Sequence, residues 1–320
     1  NVLGSSFNTH MEFLSALRDW GFPVNPEIKL IKSSERMLNY HKNLESIRNN
    51  LDYDIDGSVF KVNQIKERTA LGIRSRSPRW AIAGKFKAQQ VTTKVTGIMA
   101  SIGRTGAITP VAQLEPVNVG GVNVTNATLH NQDEVDRKDV RIGDTVILQR
   151  AGDVIPEVVK VILEKRDKKS VQYLLPKECP SCEKTIYRPK GESVARCQNL
   201  SCPAQIKGRI LHFISKSALN IDGFGEKLVD QLVEKNIIQQ VDDIFKLTFE
   251  KLEKLDRMAE KSANNILGAI NDSKKTTFAR FVYALGIRNV GYHLSKVLEN
   301  AFKGDIGSFR ESSIETLESI

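Results

Sequence analysis

Four cysteines occur among the 320 residues, and all of them fall within one short segment. Cys179-Pro180-Ser181-Cys182 is a C-x2-C pair, and Cys197-Gln198-Asn199-Leu200-Ser201-Cys202 is a C-x4-C pair fourteen residues further on. Zn2+ takes four soft ligands in a tetrahedron, and two cysteine knuckles joined by a hairpin-length loop supply that set. Arg188, Lys190 and Arg196 stand nearby and are expected to favour the thiolate forms. Such a centre has no open coordination position, so it stabilises its module and does no chemistry. The alternatives are two unrelated cysteine pairs or a set of redox thiols. Use of the whole cysteine inventory at ligand spacing favours the metal.

A second group pairs acid with base. Asp54-Ile55-Asp56-Gly57-Ser58-Val59-Phe60-Lys61-Val62 puts Asp56 just before a strand and Lys61 on it, and Ala81-Ile82-Ala83-Gly84-Lys85-Phe86 puts Lys85 inside another apolar strand. Lysine is seldom placed in a buried strand without a partner. Two such lysines beside a carboxylate suggest a phosphate pocket, the lysines neutralising phosphoryl oxygens and Asp56 holding a divalent metal or its water. Taken singly, each lysine reads as a side chain on the solvent face of an edge strand.

A third group consists of turns. Ile221-Asp222-Gly223-Phe224-Gly225-Glu226-Lys227 starts a helix after a Gly-x-Gly turn, and Leu285-Gly286-Ile287-Arg288-Asn289-Val290-Gly291 repeats the device with Arg288 added. Glycine admits positive φ and close approach of the backbone to a ligand, and the first N–H groups of the next helix can hold a phosphate oxygen. Repetition between helices is the helix-hairpin-helix solution for binding a DNA backbone without reading sequence. Leu255-Asp256-Arg257-Met258-Ala259 looks like a third copy lacking the glycines and is expected to pack without binding. A fourth begins at Glu315 and is cut off by the end of the chain.

These residues need elements to hold them. Met11, Leu14 and Leu17 share one face of a helix over residues 10–20, ended by Pro23 and Pro26. A second helix is expected over 34–49, with an N-cap serine and Glu35 in its first turn. Strands at 57–62 and 80–86 complete an α+β reading whose other strands lie before residue 1. From Val91 to about Lys165 short strands alternate with Gly, Pro and Asn, and Val117 to Val124 reads as strand, Gly-Gly turn, strand. Further strands at 144–148 and 158–163 suit a small barrel of the OB type. From Pro203 onward the pattern is helical.

Lys and Arg number 47 against 38 Asp and Glu, a net charge of +9, and the pI is about 9.3. That surplus favours a polyanionic partner, nucleic acid before an anionic membrane. No apolar run approaches the roughly 18–20 residues that cross a bilayer. The start carries no signal-peptide pattern and no Met. Both ends look cut, and the chain is expected to be an internal piece of a longer protein. Clustered cysteines fit a reducing cytoplasm better than a disulfide framework.

Read together, the motifs resemble bacterial NAD+-dependent DNA ligases. Asp-Gly-x-x-x-Lys-Val at 56–62 and Ser-Arg-Ser-Pro-Arg-Trp-Ala-Ile-Ala-x-Lys-Phe at 75–86 are similar to the fourth and fifth nucleotidyltransferase motifs of that family. Gly103-Arg104-Thr105-Gly106-Ala107-Ile108-Thr109-Pro110-Val111-Ala112, Ala127-Thr128-Leu129-His130-Asn131, and Arg141-Ile142-Gly143-Asp144-Thr145-Val146 through Arg150-Ala151-Gly152-Asp153-Val154-Ile155-Pro156 resemble its OB domain. The resemblance runs over essentially the whole chain. It implies a multidomain α+β protein: part of a nucleotidyltransferase (adenylation) domain at 1–90, an OB-fold β-barrel at 91–170, a four-cysteine zinc module (zinc finger) at 171–205 and a truncated α-helical helix-hairpin-helix domain at 206–320.

The same resemblance implies a reaction. A lysine attacks the α-phosphate of NAD+, AMP passes to the 5′-phosphate of a nick, and the neighbouring 3′-hydroxyl displaces AMP. Mg2+ or Mn2+ and basic residues stabilise the phosphoryl charge. Carried over by motif, Asp56, Lys61, Lys85 and Arg48 belong to the catalytic pocket, Lys61 and Lys85 binding the nucleotide. Arg104, Thr105, Arg150, Val154 and Ile155 meet DNA beside the nick, an apolar pair next to Arg150 suiting a minor groove. Gly223, Gly225, Gly286, Arg288 and Gly291 grip the backbone further away, and Cys179, Cys182, Cys197 and Cys202 hold structural Zn2+. The implied partner is nicked duplex DNA encircled by a monomer, with no membrane, in the cytoplasm at the nucleoid.

The chain departs from the family in places. The Lys-x-Asp-Gly string that carries the nucleophile does not occur, and the domain recognising the nicotinamide half of NAD+ and the C-terminal BRCT domain are absent. The chain alone is therefore expected not to form the AMP-enzyme. Ser58, Gly84 and Lys87 stand where Val, Tyr and Pro are the family's residues, and Gly84 removes an aromatic beside Lys85. A pure zinc and hairpin DNA clamp would not need Asp56, Lys61 and Lys85. An ATP-dependent or RNA ligase would not need the zinc module after the barrel.

Overall fold

A computed structural model of the chain describes residues 6–74, 77–151 and 155–320. It divides into two compact units, Asn1–Gln90 with Gln149–Ile155, and Val91–Leu148 with Pro156–Ile320.

The first unit is built on two helices and a strand pair. Helix α1 (His10–Asp19) is fixed by a capping box in which the Thr9 hydroxyl accepts from the Glu12 N–H and the Glu12 carboxylate accepts at the cap. Helix α2 (Ser34–Ile47) takes Ser33 as its N-cap and runs into a 3-10 turn at Arg48–Asn50, so the sequence boundary was right within a turn. Strand β1 (Gly57–Lys61), helix α3 (Ile65–Leu71) and strand β2 (Ala81–Lys85) follow. The two strands pair antiparallel, Gly57 opposite Lys85 and Lys61 opposite Ala81. Both lysines are exposed, as are Val59 and Ile82. The reading of each lysine as a solvent-facing side chain therefore fits better than that of lysines in buried strands: Lys61, Lys85 and Val59 share one exposed face, and Ile82 is exposed on the other.

The second unit begins with a closed five-stranded barrel. Strands β3 (Gln90–Ile102), β4 (Ile108–Val119) and β5 (Val122–Thr128), helix α4 (Gln132–Lys138), and strands β6 (Thr145–Ala151) and β7 (Ile155–Val161) close in the order β3-β4-β5-β7-β6. The β5–β7 pairing is parallel, which lets the helix-containing crossover close the barrel, the OB arrangement the sequence suggested. Gly120 and Gly121 both take positive φ, as a two-residue turn between right-twisted strands requires. Val95, Ala112, Val146, Leu148 and Val158 fill the interior. Below it, the fully buried Asp144 carboxylate accepts two bonds from Arg166, at 2.9 and 2.8 Å, and one from the Arg141 N–H at 2.8 Å. Arg166 also reaches Asp139, and the guanidinium is held well above its ordinary pKa by Asp144 first, with Asp139 adding to it. The Arg141 to Asp144 motif therefore closes the barrel.

The zinc-type module contributes the short strands β8 (Ile186–Tyr187) and β9 (Arg196–Cys197). Helices α5 (Pro203–Ile214), α6 (Glu226–Glu234), α7 (Phe249–Leu252) and α8 (Glu260–Ser273) share one apolar core centred on Ile210, Leu232, Ile244, Leu252 and Ala263. Helices α9 (Phe278–Ala284), α10 (Tyr292–Ala301) and α11 (Ile306–Arg310) close on Phe278, Val282 and Leu298, and α12 (Ile314–Glu318) ends the chain. Arg280 donates to the carbonyls of Ala218 and Lys216, both at 2.7 Å, and so joins the two helical groups. Among the described residues, no helix is long and apolar enough to cross a membrane.

Replacing Arg166 by Met strands a buried carboxylate and is expected to lower barrel stability by about 3–5 kcal/mol. Replacing Asp144 and Arg166 together by Leu and Met should lower it less. Hydrogen exchange of residues 139–148 across a urea series measures both, and a loss below about 1 kcal/mol for the single change would reduce the pair to a surface-like bridge.

Candidate functional site

The cysteines converge. Their four sulfurs lie within 4.8 Å of one another, with Cys179 3.8 Å from Cys202 and Cys182 3.6 Å from Cys197. Tetrahedral Zn–S bonds of about 2.3 Å place sulfurs about 3.8 Å apart, so the cluster fits the ion. Cys179, Cys197 and Cys202 are buried. Burial pushes the Cys197 thiol up to about 12 and Cys179 upward too. For Cys182 burial acts against ionisation, but hydrogen bonds from Asn199, Lys184 and Cys197 bring it down to about 7. Four thiolates at this spacing need a cation between them. Of the nearby basic residues, Arg188 is bound by both carboxylate oxygens of Asp133 on α4, and Arg196 pairs with Glu192.

Cys202 is also the N-cap of α5, with Pro203 at the first helical position. A thiolate there sits at the positive end of the helix dipole. Gln205, buried in the first turn of α5, donates to the carbonyls of Cys197 at 2.9 Å and Asn199 at 3.0 Å. The cluster packs on Ile108 at the start of β4, and Ile108 N–H donates to Ala195 while Cys197 N–H donates to Gly106. Barrel, metal cluster and first helix thus meet at one point.

The Gly103–Gly106 loop of the barrel sits in that junction. A side chain at Gly208 on α5 would meet the Arg104 Cβ at 2.9 Å, so the helix passes directly over the loop. Arg104 Nη1 donates to the Gly286 carbonyl at 2.9 Å, and His212 on α5 bonds the Tyr283 carbonyl through Nε2 at 2.8 Å. Burial, and then Arg104, hold the His212 pKa below its ordinary value, which keeps the ring neutral as a donor. Arg104 was expected to meet DNA; in this structure its guanidinium ties the barrel loop to the turn after α9. Thr105 beside it is exposed.

The turns of the helical part share a backbone feature that composition did not reveal. Positive φ occurs at Gly223, Arg257 and Asn289, each two residues before the N-cap of a helix, at Gly225, Ala259 and Gly291. None of these three N-caps makes a side-chain capping bond. The repeat partner of Gly223 is therefore Asn289. Gly286, which the sequence suggested, instead ends α9. Gly225 and Gly291 have φ of −84° and −88°, so their value is open space and not handedness; a Cβ at either would touch nothing within 4 Å. The degenerate copy at Arg257 keeps the geometry that its lack of glycines seemed to forbid. The fourth turn differs, for Ser313 caps α12 through the Thr316 N–H. Arg288 is exposed and touches Glu192 at 3.4 Å.

In the first unit, Asp56 and Lys85 form an ion pair, and the Phe86 N–H donates to the Asp56 carbonyl at 2.9 Å. Arg48 lies 5.6 Å from the centre of the Phe86 ring. Lys61 is not brought to this point. It shares a strand face with Lys85 but stands at the far end of the pair, roughly 13 Å along the strand. There it borders a groove of about 740 Å3 with His10, Tyr40, Phe60, Asn63 and Trp80. The groove escaped sequence reasoning; Phe60 beside Lys61 and Trp80 ahead of the second strand were its signal. Arg150 lies half-buried on β6, Ile155 is exposed at the start of β7, and Val154 falls outside the described residues.

Comparison with known proteins bears on all of this. Residues 2–89 match the NAD-dependent DNA ligase adenylation domain, residues 92–170 the NAD-dependent DNA ligase OB-fold domain, and residues 178–204 the NAD-dependent DNA ligase C4 zinc finger domain. A DNA ligase of Syntrophus aciditrophicus is 49% identical over 302 residues, 94% of this chain and 45% of that protein. A DNA ligase of Methylococcus capsulatus is 51% identical over 310 residues, 97% of this chain and 46% of that protein. The chain spans about half the length of these curated relatives. With three family domains in order and half of its residues shared with named ligases, the chain belongs to the NAD-dependent DNA ligase family.

Proposed function

We propose that the chain is the DNA-gripping and phosphate-handling part of a ligase that seals 5′-phosphate/3′-hydroxyl nicks in duplex DNA with NAD+ as AMP donor, in replication and repair. The observation that carries this reading is the Asp56–Lys85 pair, an acid and a base brought to one point by two strands whose motifs are those of an adenylation domain. Lys85 and Arg48 would neutralise phosphoryl oxygens beside Asp56, and Lys61 would do so at the far end of the strand pair. Asp56, released from Lys85 by a bound phosphate, would hold a divalent ion; Mg2+ or Mn2+ supplies Lewis-acid stabilisation of that charge. The four cysteines would hold structural Zn2+.

The grip on DNA rests on the helical part, read as a helix-hairpin-helix domain at 206–320. Three uncapped helix N-termini, at Gly225, Ala259 and Gly291, leave backbone donors for phosphate oxygens, and the third hairpin joins the set because Arg257 reproduces the turn. Thr105, Arg150 and Ile155 on the barrel, with Val154 from the family pattern, would meet the duplex beside the nick. Arg288 would exchange Glu192 for phosphate. A net charge of +9 suits this partner. The protein would work as a monomer closed around DNA, in the cytoplasm at the nucleoid. A clamp without chemistry is the second reading; the Asp56–Lys85 pair has no place in it.

Three outcomes are expected. Incubated with NAD+ and Mg2+, the chain should gain no AMP by mass spectrometry, because no Lys-x-Asp-Gly nucleophile occurs in it; an adduct of one AMP would overturn that reading. Binding to nicked duplex should weaken steeply with salt, about −0.9 in log–log slope for each neutralised phosphate, and a flat response would contradict the basic grip. Gly225→Asp and Gly291→Asp should each leave melting unchanged while weakening DNA binding about tenfold, since the new carboxylate both caps the helix and repels phosphate. Unchanged affinity would remove those turns from the interface.

A further inference from the structure

Ser58 and Gly84 are direct cross-strand partners. They lie on the strand face that α2 covers, where Tyr40 packs edge-on to Phe60. Into the space above Gly84 comes the ring of His41, from α2. Its Nδ1 is 2.8 Å from the Ser58 hydroxyl, and a Cβ added at Gly84 would lie 3.2 Å from its Cε1 and Nδ1. The same ring sits 4.9 Å from Phe86, whose N–H is bonded to Asp56. Ser58 is 6% exposed, so its hydroxyl has little access to water and the imidazole is its partner.

We propose that His41 is a positioning residue for the phosphate-handling strand pair. From the helix, it fills the place of the side chain that β2 lacks at Gly84. Through Ser58 and Phe86 it fixes the spacing that lets Asp56 meet Lys85. It touches no reacting atom. The glycine is required by the histidine, since any side chain at position 84 must move the ring. The serine is required too, since a ring nitrogen pointing at an apolar strand residue would be left unpaired. Three residues far apart in sequence thus form one unit, and changing any one of them alone breaks it. The role assigned to Asp56 and Lys85 rests on the function proposed above; the His41 linkage itself does not.

The test needs neither nucleotide nor DNA, so it can fail or succeed independently of the ligase reading. The intact chain is treated briefly with an amine-acylating reagent, and modification of Lys85 is measured by peptide mass spectrometry, with Lys61 at the far end of the strand pair as internal reference. His41→Ala should raise the Lys85 to Lys61 ratio about two- to fivefold, the size expected from loosening an exposed ion pair. Ser58→Ala, which removes only a hydroxyl, should move it the same way by less. Gly84→Tyr should also raise it, by evicting the ring. His41→Ala combined with Gly84→Tyr should return the ratio to that of the parent chain, because the strand then supplies the missing aromatic. An unchanged ratio in both His41→Ala and Ser58→Ala would overturn the proposal. So would a double variant worse than either single, or a rise at Lys61 equal to that at Lys85, either of which marks general loosening and not positioning.

Discussion

The second unit depends on one junction, where Cys202 is at once a sulfur of the metal cluster and the N-cap of α5. Helix caps and metal ligands are usually separate devices. Here the residue whose sulfur completes the cluster is also the N-cap of the helix, so a cation held there, the helix dipole and the first turn reinforce one another. The barrel enters through Ile108 and Gly106, which make backbone bonds to the segment between the cysteine pairs. A small module with hardly any apolar core of its own is thus anchored on both sides.

From α5 the order spreads outward. Gly208 lets the helix lie on the barrel loop, His212 holds the end of α9, and Arg104 holds the carbonyl after it. The turn from Gly286 to Gly291 is therefore placed relative to the barrel by two side chains and a glycine. Under the proposed DNA grip such placement matters, since donors on separately mobile modules would lose their registry with the phosphates. The first unit solves a different problem, holding an acid and a base at one point of a two-stranded sheet.

Much of this was legible in the sequence. Cysteine spacing gave the cluster, because ligand geometry constrains it tightly. Alternation and the Gly120-Gly121 turn gave the hairpin and, with the later strands, the barrel class. The glycine-marked hairpins at 221–227 and 285–291 lay where helices do begin. What sequence reasoning missed was set by tertiary partners. The tie from Arg104 to Gly286 could not be read, because nothing in the neighbourhood of Arg104 announces a partner 182 residues away. Arg257 and Asn289 take up left-handed backbone that composition assigns to glycine, so the shared turn geometry of the three hairpins was not legible. Whether the lysines were buried or solvent-facing stayed open, because an apolar strand need not be covered on both faces. Gly84 looked like a loss beside Lys85; the structure shows the space filled from α2.

The central claim is that the cysteine cluster organises the barrel loop and the distant helical turn as well as its own knuckles. Hydrogen exchange of the intact chain, with Zn2+ and after its removal by a chelator, tests this most directly. If the claim holds, residues 103–108, the first turns of α5 and the turn at 286–291 lose protection together with residues 179–202, while the barrel interior at Val146 and Leu148 keeps its own. Loss confined to residues 179–202, with the loop and the turn unchanged, would contradict it.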